Sequence, residues 1–379
     1  MPYSLLLALG IALGQDTTQP PVFTAVALQA ADSIAAAEFA KDSLGSITVG
    51  VVSGPNLVWT KSYGYSDSAR TRVAKATTVY RIASVSKQFT AVMLLQLLER
   101  GRVTLSDPVE RFFPEIRSIG GRITGSAPVT IVQLATMTSG LARDPKDERA
   151  SQRGRSQDWV KTLIGALPKT EFVRAPGVAY GYSNVGYAIL AATLARISGE
   201  SYASYQQRHI VQPLGMTSTS FELTPGLSER LATGVDYDEL VPGKLNYADA
   251  AGDHRLGLGI SAPSGGIYST VGDVAKFVSL ELGFGPPAVL LSASLGVRDN
   301  VPVASSPTLR YGYGLGYQVM RWGDTVAVGH SGNLAGYTSM AMYDRKRKFG
   351  VIVLRSAAGG EADAGRLAGR VFRRLFRDA

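Results

Sequence analysis

Residues 81–90 read RIASVSKQFT and lead directly into AVMLLQLLER at residues 91–100. The second stretch is apolar at helical spacing and ends before Gly101, a residue type that commonly follows a helix. This spacing predicts an amphipathic helix with Ser84 at its start and Lys87 one turn further along the same face. A hydroxyl and an amine would then lie within reach of each other. They would form either a reacting pair or an ordinary helix cap followed by a surface lysine.

The composition is that of a globular protein. Hydrophobic residues make up 45% of the 379 residues and charged residues 18%, which is enough for one large domain or two moderate ones. The net charge of +9 is spread along the chain, and basic and aromatic residues do not interleave. These features argue against nucleic acid as a partner. The chain has no cysteine, which excludes disulfides, thiolate metal sites and a cysteine nucleophile.

The beginning of the chain is typical of an exported protein. Residues 1–14, MPYSLLLALGIALG, contain a short apolar core that ends in small residues. We expect a signal peptide there, and therefore a secreted or periplasmic protein, because the core is too short to span a bilayer. No Lys or Arg precedes the core, so an uncleaved start is the alternative. Residues 15–25 are polar and contain prolines, which predicts a linker, and no integral membrane segment is expected elsewhere.

Strand patterns lie towards both ends of the chain, and helical patterns lie between them. Residues 46–67 predict a hairpin that turns around Gly54, and residues 311–320, 325–332, 338–344 and 349–356 predict further strands. We therefore predict an α+β fold in which one antiparallel sheet, flanked by helices, is built from residues 26–104 and 262–379. Residues 105–261 would form an inserted, mainly helical region.

The last helical pattern, GRLAGRVFRRLFRDA at residues 365–379, is basic and amphipathic. Leu367, Val371, Leu375 and Phe376 lie on one stripe of ordinary width. A basic helix of this kind can lie on a membrane surface. The width of the stripe favours the other interpretation, a helix that covers the sheet.

Two residues of the segment YSN at 182–184 carry groups that are useful in catalysis. Tyr182 has a phenol that can relay a proton if a nearby ammonium stabilises its phenolate. Asn184 has an amide that can hold a substrate amide or orient Lys87. The alternative is an ordinary loop tyrosine with a turn that precedes a helix.

A third segment, His330 to Asn333, leaves a predicted strand. Gly332 would let a substrate backbone approach closely, and the amide of Asn333 would join that of Ser84 in an oxyanion hole. The alternative is a strand-ending turn with a structural His330. The nearby GHSGN lacks the final glycine of a nucleophile elbow, so a triad centred on Ser331 is the weaker hypothesis. GYGLG at residues 312–316 resembles a phosphate loop, but no helix is predicted after it. No histidines and carboxylates lie at ligand spacing, so no metal site is predicted.

Taken together and in this order, the three segments resemble the active-site motifs of the serine β-lactamase and penicillin-binding protein superfamily. The similarity covers about residues 28–375, including APGVAYGYSNVGYAIL at 175–190 and APSGGIYSTVGDVAKF at 262–277. The most similar branch contains class C β-lactamases, D-alanyl-D-alanine carboxypeptidases with a His-x-Gly third motif, D-aminopeptidases and family VIII esterases. The fold of this superfamily agrees with the layout predicted above.

The resemblance implies a role for each matching residue. Ser84 would be the acylated nucleophile and Lys87 its proton acceptor, while Tyr182 would relay protons to the leaving group. Asn184 would hold the substrate amide, and His330 would replace the lysine of the third motif. Ser331 and Gly332 complete that motif in the substrate site, and the amides of Ser84 and Asn333 would form the oxyanion hole. No cofactor is implied.

The histidine in the third motif is a departure that bears on activity. Lysine would present a full charge to a substrate carboxylate, whereas histidine is mostly neutral at pH 7, which weakens the case for an efficient β-lactamase. We expect a serine hydrolase that is carboxypeptidase-, β-lactamase- or esterase-like and acts on a small-molecule or peptide ester, amide or β-lactam. The alternative is a penicillin-binding or peptidoglycan-sensing module that is acylated and stays blocked. No oligomeric state is predicted.

Overall fold

The computed structural model describes residues 19–151, 156–237, 244–248, 258–300, 304–305, 311–322 and 325–379. The predicted signal peptide lies outside these residues. The strands within them are β1 (Ser46–Ser53), β2 (Asn56–Gly64), β3 (Tyr80–Arg81), β4 (Gly234–Tyr237), β5 (Leu245–Ala248), β6 (Tyr268–Ser269), β7 (Ala304–Ser305), β8 (Tyr311–Tyr313), β9 (Gln318–Trp322), β10 (Thr325–Leu334), β11 (Tyr337–Asp344) and β12 (Phe349–Arg355).

The helices in the described part of the chain alternate with short single turns. They are α1 (Ala25–Phe39), α2 (Ser86–Glu99), α3 (Ile131–Ala135), α4 (Glu148–Ser151), α5 (Trp159–Ala166), α6 (Asn184–Ser198), α7 (Tyr202–Gln206), α8 (Pro225–Ser228), α9 (Ala262–Gly265), α10 (Val271–Ser279), α11 (Ser292–Asn300) and α12 (Ala364–Phe376). None of these helices is both long and apolar enough to cross a membrane.

One antiparallel sheet dominates the fold, with the strand order β2-β1-β12-β11-β10-β9-β8-β7. The predicted hairpin is β1 and β2, joined at Gly54 and Pro55. The register joins the two ends of the chain directly, because Val49 of β1 pairs with Val353 of β12. Strands β1 and β12 are buried along their whole length, as expected for strands covered on both faces. The predicted α+β fold with a sheet from both chain ends is therefore confirmed.

Helices cover the two faces of the sheet. Helix α12 packs against β11, β12 and α1 on one face, whereas α10 packs against β1, β2 and β12. Leu367, Val371 and Leu375 of α12 are buried in the core on its side of the sheet. The terminal helix therefore covers the sheet, as its stripe of apolar residues predicted.

A buried carboxylate joins the two helices of that face. Glu38 of α1 is fully buried, and its Oε1 accepts hydrogen bonds from the Arg366 guanidinium of α12 at 2.6 and 2.9 Å. Lys41 lies 2.8 Å from Oε2 of the same carboxylate. Desolvation by burial would raise the pKa of Glu38, but the hydrogen bonds from Arg366 and Lys41 outweigh it and lower the pKa to about 2.

Helix α2 differs from its prediction. The sequence suggested an amphipathic helix, yet every residue from Ser86 to Leu97 is buried. The reason is its position, since α2 contacts α6 and α7 of the helical region and also α9 and β10. Two small antiparallel pairs, β3 with β6 and β4 with β5, also lie outside the main sheet, and β4 and β5 fall in the region predicted to be mainly helical.

Candidate active site

Ser84 lies in a strained turn at the entrance to α2. A single 3-10 turn spans Ala83–Val85, and Ala83 has a φ of 46°, in the left-handed region that an alanine rarely adopts. Ser84 is partly exposed, whereas its neighbours in this turn are buried. The position that caps α2 is taken by Val85, and no side chain caps this helix. The interpretation of Ser84 as a helix cap is therefore wrong.

The amino group of Lys87 is buried and lies next to Ser84. Its Nζ lies 3.1 Å from Ser84 Oγ, 2.9 Å from Asn184 Oδ1 and 3.1 Å from the carbonyl oxygen of Ser264. Burial and, to a smaller extent, the charge of Arg143 lower the pKa of Lys87 to about 7 against the opposing effect of Asp144. A neutral amine has two N–H groups, which the oxygens of Asn184 and Ser264 accept, so its lone pair faces Ser84.

The hydroxyl of Tyr182 reaches Ser84 from the other side. Its O–H donates to Ser84 Oγ at 3.1 Å. Burial raises the pKa of Tyr182 well above 10, and this effect outweighs the bond to Ser84 and the charge of Arg143. The ring lies 5.0 Å from Lys87 Nζ and 4.9 Å from the Arg143 guanidinium carbon. Tyr182 is consequently a neutral phenol at rest, with the Lys87 amine and the Arg143 guanidinium near its ring.

Hydrogen bonds to residues 137–142 and within the start of α6 hold residues 181–184 in place. Gly181 N–H donates to the carbonyl of Met137 at 2.8 Å. Ser183 caps α6, because its Oγ accepts from Gly186 N–H at 2.9 Å and donates to the carbonyl of Ala142 at 2.7 Å. These bonds fix the Tyr182 side chain over Ser84 and begin α6 with Asn184.

Asn184 has both ends of its amide bonded within the protein. Its Oδ1 accepts from Lys87, and its Nδ2 donates to Asp144 Oδ1 at 3.1 Å. The side chain of Asp144 is 9% exposed and forms an ion pair with Arg143 at 3.4 Å. Of the two functions predicted for Asn184, this geometry favours the orientation of Lys87 over the capture of a substrate amide.

His330 is buried and uncharged. Its Nδ1 lies 2.6 Å from the carbonyl of Ser331, and its Nε2 lies 2.9 Å from the hydroxyl of Tyr313. Because a carbonyl only accepts, Nδ1 carries the proton and Nε2 accepts from Tyr313. Burial, with the charge of Lys87, lowers the pKa of His330 to about 3. The ring thus presents no positive charge to a substrate. The sequence predicted a histidine that is mostly neutral at pH 7, and burial lowers its pKa further still.

The three residues after His330 alternate across β10. Gly332 lies on the same face as His330, and a Cβ there would be 2.6 Å from the carbonyl oxygen of Ile82 and 2.9 Å from Ala83 Cβ. Gly332 therefore makes room for the turn that carries Ser84, and its role in admitting a substrate backbone stays a prediction.

Ser331 and Asn333 lie on the face of β10 opposite to His330 and Gly332. Ser331 donates to Gln318 Oε1 from its N–H at 3.1 Å and from its hydroxyl at 3.2 Å. Pairing between β10 and β9 ends at Gly329 and Gln318. Since alternate N–H groups of a strand point to the same side, the N–H of Asn333 points from this open edge of β10.

Comparison with known proteins shows which family the chain belongs to. The beta-lactamase family profile matches residues 31–375 of the chain. The chain belongs to the beta-lactamase family. This beta-lactamase family member is 26% identical over 333 residues to protein flp of Staphylococcus aureus (strain COL). The aligned part covers 86% of this chain and 62% of flp, so the chain spans less than two thirds of that relative.

Solved structures share the fold. The octameric penicillin-binding protein homologue from Pyrococcus abyssi aligns with a TM-score of 0.76 and 24% identity, over 92% of this chain and 77% of that one. A D-stereospecific amidohydrolase from Streptomyces sp. aligns with a TM-score of 0.72 and 21% identity, over 93% of this chain and 99% of that one. At these identities the likeness establishes the fold of the beta-lactamase family member.

Several residues of the site were not found from the sequence. Arg143 and Asp144 belong to a loop of mixed charge that has no periodic pattern, and Ser264 contributes a backbone carbonyl that any residue type would supply. Tyr313 lies in GYGLG, a segment that resembles a phosphate loop. Its spacing from His330 was the one available signal, because β8 and β10 both pair with β9.

Proposed function

We propose that this beta-lactamase family member is a serine hydrolase that cleaves ester or amide bonds through an acyl-enzyme on Ser84. The observation that carries the proposal is the convergence of Lys87 Nζ and Tyr182 Oη on Ser84 Oγ, at 3.1 Å each. A serine hydroxyl needs a nearby base to become a nucleophile, and this pair offers one base and one acid at the same oxygen.

In acylation, the neutral amine of Lys87 takes the proton of Ser84 as Oγ attacks the substrate carbonyl. Tyr182, a neutral phenol, gives its proton to the departing oxygen or nitrogen, and the Lys87 ammonium restores that proton to the phenolate. The proton of Ser84 is thereby delivered to the leaving group. Asn184 and the carbonyl of Ser264 keep the Lys87 amine directed at Ser84 throughout.

Deacylation reverses these transfers. A water molecule attacks the acyl ester and gives a proton to Tyr182 while the phenol passes its own proton to the neutral Lys87 amine, and the Lys87 ammonium then returns a proton to Ser84 Oγ as it leaves. The amides of Ser84 and Asn333 would hold the oxyanion in both steps. The orientation of the Asn333 N–H at the open edge of β10 supports this assignment.

Carboxypeptidase-, esterase- and β-lactamase-like activities all use this chemistry. The uncharged His330 favours an esterase-like activity over an efficient β-lactamase, because a β-lactam carboxylate would meet no cation at that position. The name of the Streptomyces neighbour, a D-stereospecific amidohydrolase, supports an amide as one substrate class. We further propose export through residues 1–14, which N-terminal sequencing of protein recovered outside the cytoplasm would test.

The decisive experiment compares wild type, Ser84→Ala and Ser86→Ala. Each is incubated with a short-chain nitrophenyl ester, a D-Ala-D-Ala peptide and a chromogenic cephalosporin, and its intact mass is measured. Ser86 is the matched control, since it lies two positions away in the same segment and is buried away from solvent. We expect turnover by wild type and Ser86→Ala and none by Ser84→Ala.

Two outcomes would contradict the proposal. Full activity of Ser84→Ala would show that Ser84 is not the nucleophile. A stable adduct of acyl mass on wild type, with no turnover of any substrate, would instead identify a module that is acylated once and stays blocked.

A further inference from the structure

A cavity of about 580 Å³ adjoins the candidate active site. Tyr313 and Ser331 line its near end, together with Tyr180. The rings of Tyr180 and Tyr313 lie 6.1 Å apart, and Tyr313 is also the hydrogen-bond partner of His330. The cavity therefore begins at residues that contact the site and follows the edge of β10 where pairing with β9 has ended. Its volume is that of a site for a small organic group.

The floor and far wall of the cavity come from the sheet and from α12. Met320, Met340 and Met342 line the floor, and Gly365 and Gly369 line the wall formed by α12, together with the charged residues Asp363, Arg366 and Arg373. Methionine side chains adapt to flexible apolar groups. Glycine within a helix costs stability relative to alanine, and at residues 365 and 369 it leaves this wall without a side chain.

The position of Tyr182 indicates which side of the scissile bond would face the cavity. The ring of Tyr182 packs against Tyr313 with centroids 6.2 Å apart, so the wall of the cavity adjoins the phenol. In the proposed function Tyr182 protonates the leaving group, which must therefore depart on this side of Ser84. Tyr313, which contacts both Tyr182 and His330, places the cavity next to that side.

We propose that this cavity, the α12 groove, binds the leaving group of the substrate, and that preferred substrates carry an extended apolar chain on the alcohol or amine side of the scissile bond. This inference rests on the proposed function, because it requires Ser84 and Tyr182 to act as nucleophile and proton donor. It adds a substrate class that the catalytic groups themselves do not specify.

The test varies the two sides of an ester independently. Wild type is assayed with acetate esters of methanol, butanol and octanol, and with methyl esters of acetic, butyric and octanoic acids. We expect kcat/KM to rise with alcohol length, by roughly twofold to fourfold per methylene until the groove is filled, and to respond less to acyl length. A flat dependence on alcohol length, or a stronger dependence on acyl length, would overturn the inference.

A pair of variants at Gly365 tests the location. A Cβ there would lie 3.4 Å from Met340 Cε and from Asp363 Oδ1, which is ordinary contact, so Gly365→Ala fits while Gly365→Leu fills the groove. We expect Gly365→Leu to lower the ratio of kcat/KM for octyl to methyl acetate at least about tenfold, and Gly365→Ala to leave it within about twofold of wild type.

Thermal unfolding checks that both variants are folded. An unchanged ratio in a folded Gly365→Leu would refute the groove while leaving the proposed function intact. The absence of any Ser84-dependent ester or amide cleavage by wild type would refute the proposed function, and this inference with it.

Discussion

The low-pH side of the rate profile should report the protonation of Lys87. Burial, assisted by Arg143, lowers the pKa of this amine from 10.5 to about 7. Only the neutral amine accepts the proton of Ser84, so kcat/KM follows its deprotonated fraction. That fraction is about one eleventh at pH 6 and about ten elevenths at pH 8 for a group with this pKa. We therefore expect kcat/KM to rise about tenfold between these values and to level off above pH 8.

The assay is hydrolysis of a nitrophenyl ester between pH 5 and pH 10, followed at the isosbestic wavelength and corrected for spontaneous hydrolysis. An ordinary lysine would give a rise of about a hundredfold between pH 6 and pH 8, with no plateau before pH 10. That result would refute the reasoning. His330→Gln is the control, since burial lowers the pKa of His330 to about 3 and removes it from this range. The midpoint should not move in that variant.

Removing either of two charged residues near Lys87 should shift the midpoint of the rate profile, in opposite directions. Arg143→Gln removes a positive charge that disfavours the Lys87 ammonium, so the midpoint should move to higher pH. Asp144→Asn removes a negative charge that favours it, and the midpoint should move to lower pH. Movement of both midpoints in the same direction would show that the variants act through structure rather than charge.

Three further variants and one control test the roles of single contacts. Tyr182→Phe should lower kcat/KM by about 10²- to 10⁴-fold at unchanged thermal stability, and a loss below tenfold would remove the phenol as proton donor. Gly332→Ala should displace the turn of Ser84 and lower both kcat/KM and the unfolding temperature. The control Gly165→Ala, where a Cβ meets nothing within 4 Å, should leave kcat/KM unchanged and should not lower the unfolding temperature. Glu38→Gln should lower the free energy of unfolding at pH 7 by about 1–3 kcal/mol. Because the folded pKa of Glu38 is depressed, its contribution is present above pH 4.5 and is lost as the pH falls towards 2. Denaturation curves of wild type and variant should therefore converge in acid, and a constant difference would contradict this account.

The sheet could be predicted because its signals are local. A turn at Gly54 and Pro55 between two β-rich runs specifies a hairpin, and the apolar stripe of α12 specifies the face that packs on the sheet. Ser84, Lys87 and Tyr182 were also found, but only as a set. Each is ambiguous alone, and their order along the chain carried the resemblance.

The remaining features depend on contacts between distant segments. The burial of α2 follows from packing on two sides, which periodicity along one helix does not reveal. Gly332 is required by the approach of Ile82 and Ala83, residues far away in sequence. Asp144 matters because its carboxylate meets the amide of Asn184. Such pairings arise only from the tertiary fold.

The pairing of β1 with β12 has a consequence for how the protein folds during its synthesis. Strand β1 can pair with β2 as soon as the hairpin has been synthesised, yet its other neighbour, β12, comes much later in the chain. One edge of β1 must therefore wait for its partner, and closure of so long a loop makes folding slow. Until then the nascent chain exposes an unpaired strand edge, a surface that is prone to aggregation.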